Sequence, residues 1–142
     1  MIRRMTPGDI GEIKELLDIC FGPSAWSEAS ISSQLDKADS TCCTAVADGR
    51  IIGYLAFECI SGEGSIVEVA VHPDHRRKGI ARELIKNAVE CCEELDAVYL
   101  EVRESNIPAI SLYKNLGFYE VGKRRDYYSD PKEDAVIMRL DR

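Results

Sequence analysis

The chain has 142 residues and a formal net charge of −7, with 45% hydrophobic residues and 30% charged residues of both signs. This length suits one domain, and the hydrophobic fraction can supply a packed core. The acidic balance argues against a general nucleic-acid-binding protein, which is normally basic. We therefore expect a single domain spanning residues 1–142, with no nucleic acid as its partner.

The cysteines and the N-terminus bear on the compartment. There are six cysteines, with two adjacent pairs and no Cys-x-x-Cys, which is a poor framework for disulfides or zinc: Cys20, Cys42, Cys43, Cys59, Cys91 and Cys92. We expect reduced thiols that pack as small hydrophobes, and a cytoplasmic protein. The N-terminus lacks the apolar core of a signal peptide, and no apolar run approaches the ~20 residues of a membrane helix. A membrane is therefore not an expected partner.

The first half of the chain predicts two helices and a hairpin. The segment TPGDIGEIKELLDICF starts with a Thr-Pro pair that suits a helix cap and first turn, and apolar residues follow at helical spacing. Ser27 is a candidate cap for a second helix, SEASISSQLDKA. Two β-prone runs then flank Asp48-Gly49, a strong hairpin signal because glycine tolerates the positive φ of tight turns.

The second half alternates strands and helices. Two strands, SIVEVAVHP and DAVYLEVR, are expected to place alternate apolar residues on one face: Val67, Val69 and Val71 in the first, Val98, Leu100 and Val102 in the second. An amphipathic helix lies between them. A further helix, NIPAISLYKNLGF, ends at Gly117, and two strand candidates joined by a polar loop close the chain.

This order of elements predicts an α/β fold with a mixed central β-sheet flanked by helices. The unit from residue 65 to residue 103 is strand–helix–strand. Its two strands are expected to be parallel neighbours joined by a right-handed crossover.

The turn RRKGIA, residues 76–81, concentrates positive charge in an acidic chain. A helix N-terminus carries free N–H groups and a partial positive charge, which together bind anions. Gly79 would let the backbone approach such a ligand closely. Neither the Walker pattern nor Gly-x-Gly-x-x-Gly is present. Residue type alone fits a phosphate site and a solvated basic helix start about equally well.

The motifs resemble a known family. RRKGIA matches the Gln/Arg-x-x-Gly-x-Gly/Ala motif of the GCN5-related N-acetyltransferases (GNAT), and it follows a strand and opens a helix, as in that family. LEVRESNIPAISLYKNLGF resembles the signature of the protein N-terminal acetyltransferases, most of all the RimI-like ribosomal-protein-alanine group. The resemblance spans nearly the whole chain and is strongest over residues 65–119. Ala25-Trp26-Ser27 departs from the Pro-Trp-Ser that family members often have.

The resemblance implies a single GNAT domain whose strand–helix–strand core binds acetyl-coenzyme A. N–H groups of residues 77–82 would cradle the pyrophosphate, and the pantetheine arm would run beside residues 69–71, where an N–H polarises the thioester carbonyl. The cofactor-binding residues that it implies lie on the strand, the basic turn and a later Ser-Asn pair: Val69, Ala70, Val71, Arg76, Arg77, Lys78, Gly79, Ile80, Ala81, Arg82 and Asn106.

The resemblance also implies catalytic roles. Glu101 matches the general base, acting through a water, and Tyr113 matches the general acid that protonates the leaving thiolate. Without the signature, exposed glutamate and core tyrosine would be the commoner interpretations. Trp26, Tyr127 and Tyr128 are candidate peptide contacts, the two tyrosines in a polar loop. The two histidines lack ligand-spaced partners, so no metal is expected.

Three functions stay open at this point. The first is acetylation of the N-terminal alanine of a ribosomal protein; the second is acetylation of a lysine or a small-molecule amine; the third is a coenzyme A-binding module without turnover. The presence of both Glu101 and Tyr113 counts against the module. An α-amine of pKa about 7.7–8.0 is easier to deprotonate than lysine at about 10.4, which favours the first function.

Overall fold

The computed structural model describes all 142 residues, and its sheet and helices alternate along the chain. In chain order the elements are β1 (Ile2–Arg4), α1 (Ile10–Phe21), α2 (Glu28–Asp36), β2 (Ser40–Ala47), β3 (Arg50–Ile60), β4 (Glu63–Val71), α3 (Ile80–Glu90), β5 (Ala97–Arg103), α4 (Ile107–Asn115), β6 (Tyr119–Ser129) and β7 (Lys132–Asp141). Short 3₁₀ turns flank α1 on both sides and precede the basic turn at Pro73–His75.

The seven strands form one sheet in the order β1-β2-β3-β4-β5-β7-β6. Neighbours are antiparallel except β4 and β5, which are parallel and joined through α3. Two apolar clusters lie on the sheet: one contains residues of α3 and α4, the other residues of α1 and α2. The predicted α/β class, with a mixed sheet flanked by helices and a parallel strand–helix–strand unit, is confirmed.

Local signals set the element boundaries where the sequence predicted them. Thr6 forms a capping box with Asp9 ahead of α1. The Ser27 hydroxyl accepts a hydrogen bond from the Ser30 N–H at 3.1 Å and caps α2. Asp48 and Gly49 have φ of 52° and 75°, as a two-residue hairpin turn requires.

The expected valine face of β4 is wrong in part because the strand contains a bulge. Ala56 pairs with Glu68 and the next residue of β3 pairs with Ile66, so Val67 has no partner. The extra residue reverses the alternation. Ile66 and Val69 therefore pack against the same cluster, while Val67 is exposed.

Two further expectations are corrected. The segment predicted as a polar loop near the C-terminus is strand, since β6 runs to Ser129 and a tight turn leads into β7; Tyr127 and Tyr128 therefore lie on β6. The prediction that all cysteines are reduced is also wrong, because Cys59 of β3 and Cys92 after α3 form a disulfide. These two cysteines are 33 residues apart in the sequence and are brought together by tertiary packing. Their spacing in the sequence does not indicate that they pair.

The parallel pair is short. Glu63, Gly64 and Ser65 pair with Ala97, Val98 and Tyr99, and the ladder ends there. Beyond that point β4 stays paired with β3 as far as Val71, whereas β5 stays paired with β7 as far as Arg103. The two strands therefore part in the middle of the sheet.

Gly64 lets the parallel pair form, and this can be tested by adding one methyl group. A Cβ at Gly64 would lie 2.6 Å from Cζ of Phe57 and 3.0 Å from Cδ1 of Leu95. We expect Gly64→Ala to lower the free energy of unfolding in urea by about 1–3 kcal/mol, the usual cost of overpacking. Gly122→Ala on β6 is the matched control, because its Cβ would meet nothing closer than 3.8 Å. Equal stability of the two variants would contradict this account.

Candidate active site

The parting of β4 and β5 leaves a free strand edge. Val69, Ala70 and Val71 pair on one side with Leu55, Tyr54 and Gly53 of β3. On the other side they have no strand partner, because the ladder to β5 has ended at Ser65. An extended ligand could pair with the backbone along this edge.

The basic turn at the end of this edge has free donors. Gly79 has φ of 76° and caps α3, and the residue two before it, Arg77, has φ of 64°. The six N–H groups of residues 77–82 donate to no acceptor within the chain; the first helical bond runs from Glu83 N–H to the Gly79 carbonyl. Such a row of N–H groups at a helix N-terminus suits an anion.

The basic side chains of this turn divide into two kinds. Nε of Arg76 donates to the Val71 carbonyl at 3.0 Å, and Arg82 contacts the Asn115 carbonyl at 3.3 Å. Both therefore tie the turn to its surroundings. Arg77 and Lys78 are exposed and form neither ion pairs nor hydrogen bonds. Their charges are available to a ligand.

A cleft of ≈ 840 Å³ lies between the α1–α2 connection and strands β4, β5 and β6. Aromatic rings and carboxylates line it: Phe21, Trp26, Tyr99, Tyr127 and Tyr128, with Glu58, Glu68 and Glu101. Arg103 is the one basic side chain in the lining. The cleft is thus aromatic and acidic, which suits a cationic ligand.

Glu101 lies in the cleft and is held by a cation. Nε of Arg124 donates to its carboxylate at 3.1 Å, and the side chain is about one third exposed. A hydrogen bond to the same carboxylate raises the pKa of Tyr127. Arg124 therefore fixes the position of the Glu101 carboxylate on β5.

The two tyrosines of β6 form part of the cleft wall. Their rings meet edge to face at 5.0 Å, and the guanidinium of Arg103 lies 4.3 Å from the centre of the Tyr128 ring. Burial raises the pKa of Tyr128 to about 12. Arg103 is also paired with Glu133 at 3.2 Å, so its position is fixed from two sides.

Tyr113 is on the other side of the sheet. It is buried on α4 and packs edge to face with Phe118 at 5.8 Å. Burial raises the pKa of its phenol, and the charges of Glu68 and Tyr128 raise it further. Tyr113 is absent from the cleft lining.

Asn106 is the N-cap of α4. Its Oδ1 accepts a hydrogen bond from the Ala109 N–H at 3.2 Å. The carbonyl oxygen of the side chain is therefore used for capping, and its amide group remains free for a ligand.

The structure thus brings Trp26, Glu101, Tyr127 and Tyr128 into one cleft, whereas Tyr113 lies outside its lining. The predicted cofactor residues also lie outside this cleft, on the free edge of β4, in the basic turn and, for Asn106, at the start of α4. Among the cleft residues that sequence reasoning did not single out is Glu68. The signal available for it was a lone carboxylate in an otherwise apolar strand, IVEVAV.

Glu68 is partly buried in the cleft and has no charged partner. Its side chain forms no ion pair, and burial raises the pKa of its carboxyl to about 7, opposed only by the N–H of Val69. Loss of hydration disfavours the charged form, which is why the pKa rises.

Comparison with known proteins identifies the family. The model of the acetyltransferase (GNAT) family matches residues 10–118. This chain belongs to the GNAT family. A Bacillus subtilis protein with the provisional name ribosomal protein bS18-alanine N-acetyltransferase is 34% identical over 140 residues, covering 96% of this chain and 92% of that protein. The Escherichia coli (strain K12) ribosomal protein bS18-alanine N-acetyltransferase is 37% identical over 97 residues, 66% of each chain.

The solved structures agree with the sequence comparisons. The crystal structure of the ribosomal-protein-S18-alanine N-acetyltransferase from Escherichia coli superposes with a TM-score of 0.88 at 29% identity, covering 99% of this chain and 92% of that one. This GNAT chain is therefore an N-acetyltransferase with the family's open mixed sheet. None of its helices combines the length and hydrophobicity that a membrane crossing requires. No group of three or more potential ligand side chains is arranged to hold a metal ion.

The raised pKa of Glu68 predicts a pH-dependent stability. The folded state holds this proton more tightly than the unfolded state, whose pKa is about 4.3, so the stability due to Glu68 is present below that value and is lost as the pH rises to about 7. Between pH 4.5 and pH 8, we expect the free energy of unfolding of Glu68→Gln to rise relative to that of the wild type by on the order of 2 kcal/mol. Urea unfolding at several pH values measures the difference.

Glu63→Gln is the control for this series, because Glu63 is an exposed glutamate on the same strand. A stability difference between wild type and Glu68→Gln that stays constant from pH 4.5 to pH 8 would show that Glu68 is well hydrated.

Proposed function

We propose that this GNAT enzyme uses acetyl-coenzyme A to acetylate the α-amine of the N-terminal alanine of a ribosomal protein, with cytoplasmic bS18 as the candidate acceptor. The observation that carries the proposal is the similarity to the Bacillus subtilis relative over 96% of the chain. The acidic, aromatic cleft supports it, because a protein N-terminus arrives as a cation.

The proposed cofactor site follows from free donors. The six N–H groups of residues 77–82 would bind the pyrophosphate, with Arg77 and Lys78 adding charge. The free edge of β4 at residues 69–71 would pair with the pantetheine arm, and the free amide of Asn106 would donate to it. Acetyl-coenzyme A supplies an activated acyl group that ends near the cleft.

The proposed chemistry uses Glu101 and Tyr113. Glu101, ion-paired with Arg124, accepts a proton from the amine through a water. Tyr113, whose raised pKa keeps it protonated, donates to the sulfur as the carbon–sulfur bond breaks. Trp26, Tyr127 and Tyr128 surround the first residues of the peptide.

The choice of an α-amine has an energetic basis. Deprotonating lysine rather than an α-amine costs roughly 3.5 kcal/mol more, because their pKa values differ by about 2.5 units. Glu101 is partly exposed and already shared with Arg124, so it is a modest base. Glu101 therefore suits the α-amine, which costs less free energy to deprotonate than lysine.

Mass spectrometry on short peptides tests the acceptor. Each peptide carries one internal lysine and either a free or a blocked N-terminus, and the first residue is varied. We expect acetylation at free N-termini only, best with alanine. Acetylation of blocked peptides at lysine would move the activity to lysine. If no peptide is acetylated although acetyl-coenzyme A binds tightly, the remaining functions are acetylation of a small amine and a coenzyme A-binding module without turnover.

Two conservative variants test the catalytic pair. We expect Glu101→Gln and Tyr113→Phe each to lower kcat by about 10²- to 10⁴-fold, the usual contribution of a general acid or base. Isothermal titration calorimetry should give nearly unchanged affinity for acetyl-coenzyme A, because both residues lie away from the basic turn. Full activity in either variant would remove that residue from the mechanism.

A further inference from the structure

The proposed reaction must dispose of two protons. An α-amine of pKa about 7.7–8.0 reaches the enzyme mainly as an ammonium ion at neutral pH. Its nitrogen carries three protons, and the nitrogen of the amide product carries one. One of the two lost protons ends on the sulfur of coenzyme A and the other goes to solvent. Glu101 accounts for one acceptor on the amine side, which leaves the other proton without an assigned acceptor.

Glu68 has the position for this second role. It directly follows the bulge of β4 and lines the same cleft as Glu101. The residues after it on β4 form the free strand edge. It is thus placed between the acceptor cleft and the cofactor edge. No side chain bonds to its carboxylate, whereas Glu101 already receives a hydrogen bond from Arg124.

The groups that face Glu68 do not neutralise it. The titratable side chains that share the cleft with it include one thiol and three phenols, none of which is cationic: Cys20, Tyr99, Tyr127 and Tyr128. The cleft also contains the carboxylates of Glu58 and Glu101, while its single cation, Arg103, is paired with Glu133 and the Tyr128 ring.

A partly desolvated carboxylate without a counter-ion is costly to keep charged and gains most from a cationic ligand. The ammonium group of the acceptor is such a ligand. Glu58 is a poorer candidate, because Gln34 donates to it at 2.7 Å and Lys37 lies at 3.4 Å.

We propose that Glu68 binds the ammonium group of the acceptor and takes its first proton, leaving the second proton to Glu101. This inference rests on the proposed function. An N–H bond of the ammonium breaks, its electron pair stays on nitrogen, and the proton moves to the Glu68 carboxylate. The nitrogen lone pair then forms the bond to the thioester carbon.

The remaining steps balance the protons. The carbon–sulfur bond breaks with its electrons on sulfur, and sulfur takes the phenol proton of Tyr113. Glu68 releases its proton to solvent, and the Tyr113 phenolate regains a proton from solvent. Glu101 takes the second proton of the nitrogen through a water and releases it to solvent. The products are the amide, the free thiol and one proton.

The acidity of Glu68 suits the first transfer. Burial raises the pKa of its carboxyl to about 7, close to the about 7.7–8.0 of an α-amine. Proton transfer between groups of similar pKa is nearly thermoneutral, which is the condition under which a general base works best near neutral pH.

The test compares Glu68→Gln, Glu101→Gln and the control Glu63→Gln by kcat/KM from pH 6 to pH 9, with an alanine peptide as acceptor. We expect Glu68→Gln to lose about 10-fold at pH 7, because only about a tenth of an α-amine of pKa about 7.7–8.0 is neutral there. That deficit should shrink to a few-fold at pH 9, because the amine then arrives neutral. The deficit of Glu101→Gln should persist at pH 9, and Glu63→Gln should match the wild type.

A second acceptor separates the two carboxylates at a single pH. A peptide that begins with trifluoroalanine has an α-amine made less basic by the fluorines, so it is neutral at pH 7. We expect it to restore Glu68→Gln to within a few-fold of the wild type and to leave Glu101→Gln impaired.

Other outcomes overturn the proposal. If the wild type is active and Glu68→Gln shows no loss of kcat/KM, or a loss that is constant from pH 6 to pH 9, the proposed role of Glu68 is wrong and the proposed function stands. Loss of acetyl-coenzyme A binding by calorimetry would show a structural role instead. If Glu68→Gln does not fold, Glu68→Asp must give the same pH-dependent deficit. A wild type that acetylates no free N-terminus removes the proposed function and this inference with it.

Discussion

The active-site region depends on the short parallel contact between β4 and β5. Three residue pairs hold these strands together, and then each follows its other neighbour. The bulge at Val67 adds bend and twist to β4 at this point, while β5 keeps an unbroken register with β7. The parting opens the cleft and frees the edge of β4 beside it. Residues that are far apart in the sequence thereby contribute to one site.

Electrostatics divides the molecule into two binding regions of opposite character. The start of α3 presents unpaired N–H groups and two free cations, which suit the phosphates of a cofactor. The cleft presents carboxylates and aromatic faces, which suit an ammonium group. The free edge of β4 connects the two regions, as transfer from cofactor to acceptor requires.

Glu68 and Glu101 show how one residue type acquires two chemistries in one cleft. Arg124 lies 3.1 Å from Glu101 and forms an ion pair with it. Glu68 lies among phenols and a thiol, where lost hydration raises the pKa of its carboxyl to about 7. Different environments suit the two carboxylates to different protons.

The sequence by itself determined the features that depend on neighbouring residues. Ser27, Asp48-Gly49 and the alternation in β5 act through local hydrogen bonds, allowed φ angles and side-chain direction, so the helices, the hairpin and the exposed face of Glu101 were predictable. The basic turn was predictable as an anion site for the same reason. Its family resemblance, carried by contiguous motifs, indicated acetyl transfer.

Only the tertiary structure decided what depends on contacts between distant segments. The bulge at Val67 arises from the register between β3 and β4, and the pairing of Cys59 with Cys92 from the packing of α3 on the sheet. The burial of Glu68 likewise depends on residues of α1, β5 and β6 that share its cleft. Burial and charge pairing are properties of all the atoms around a group, and a linear pattern does not specify them.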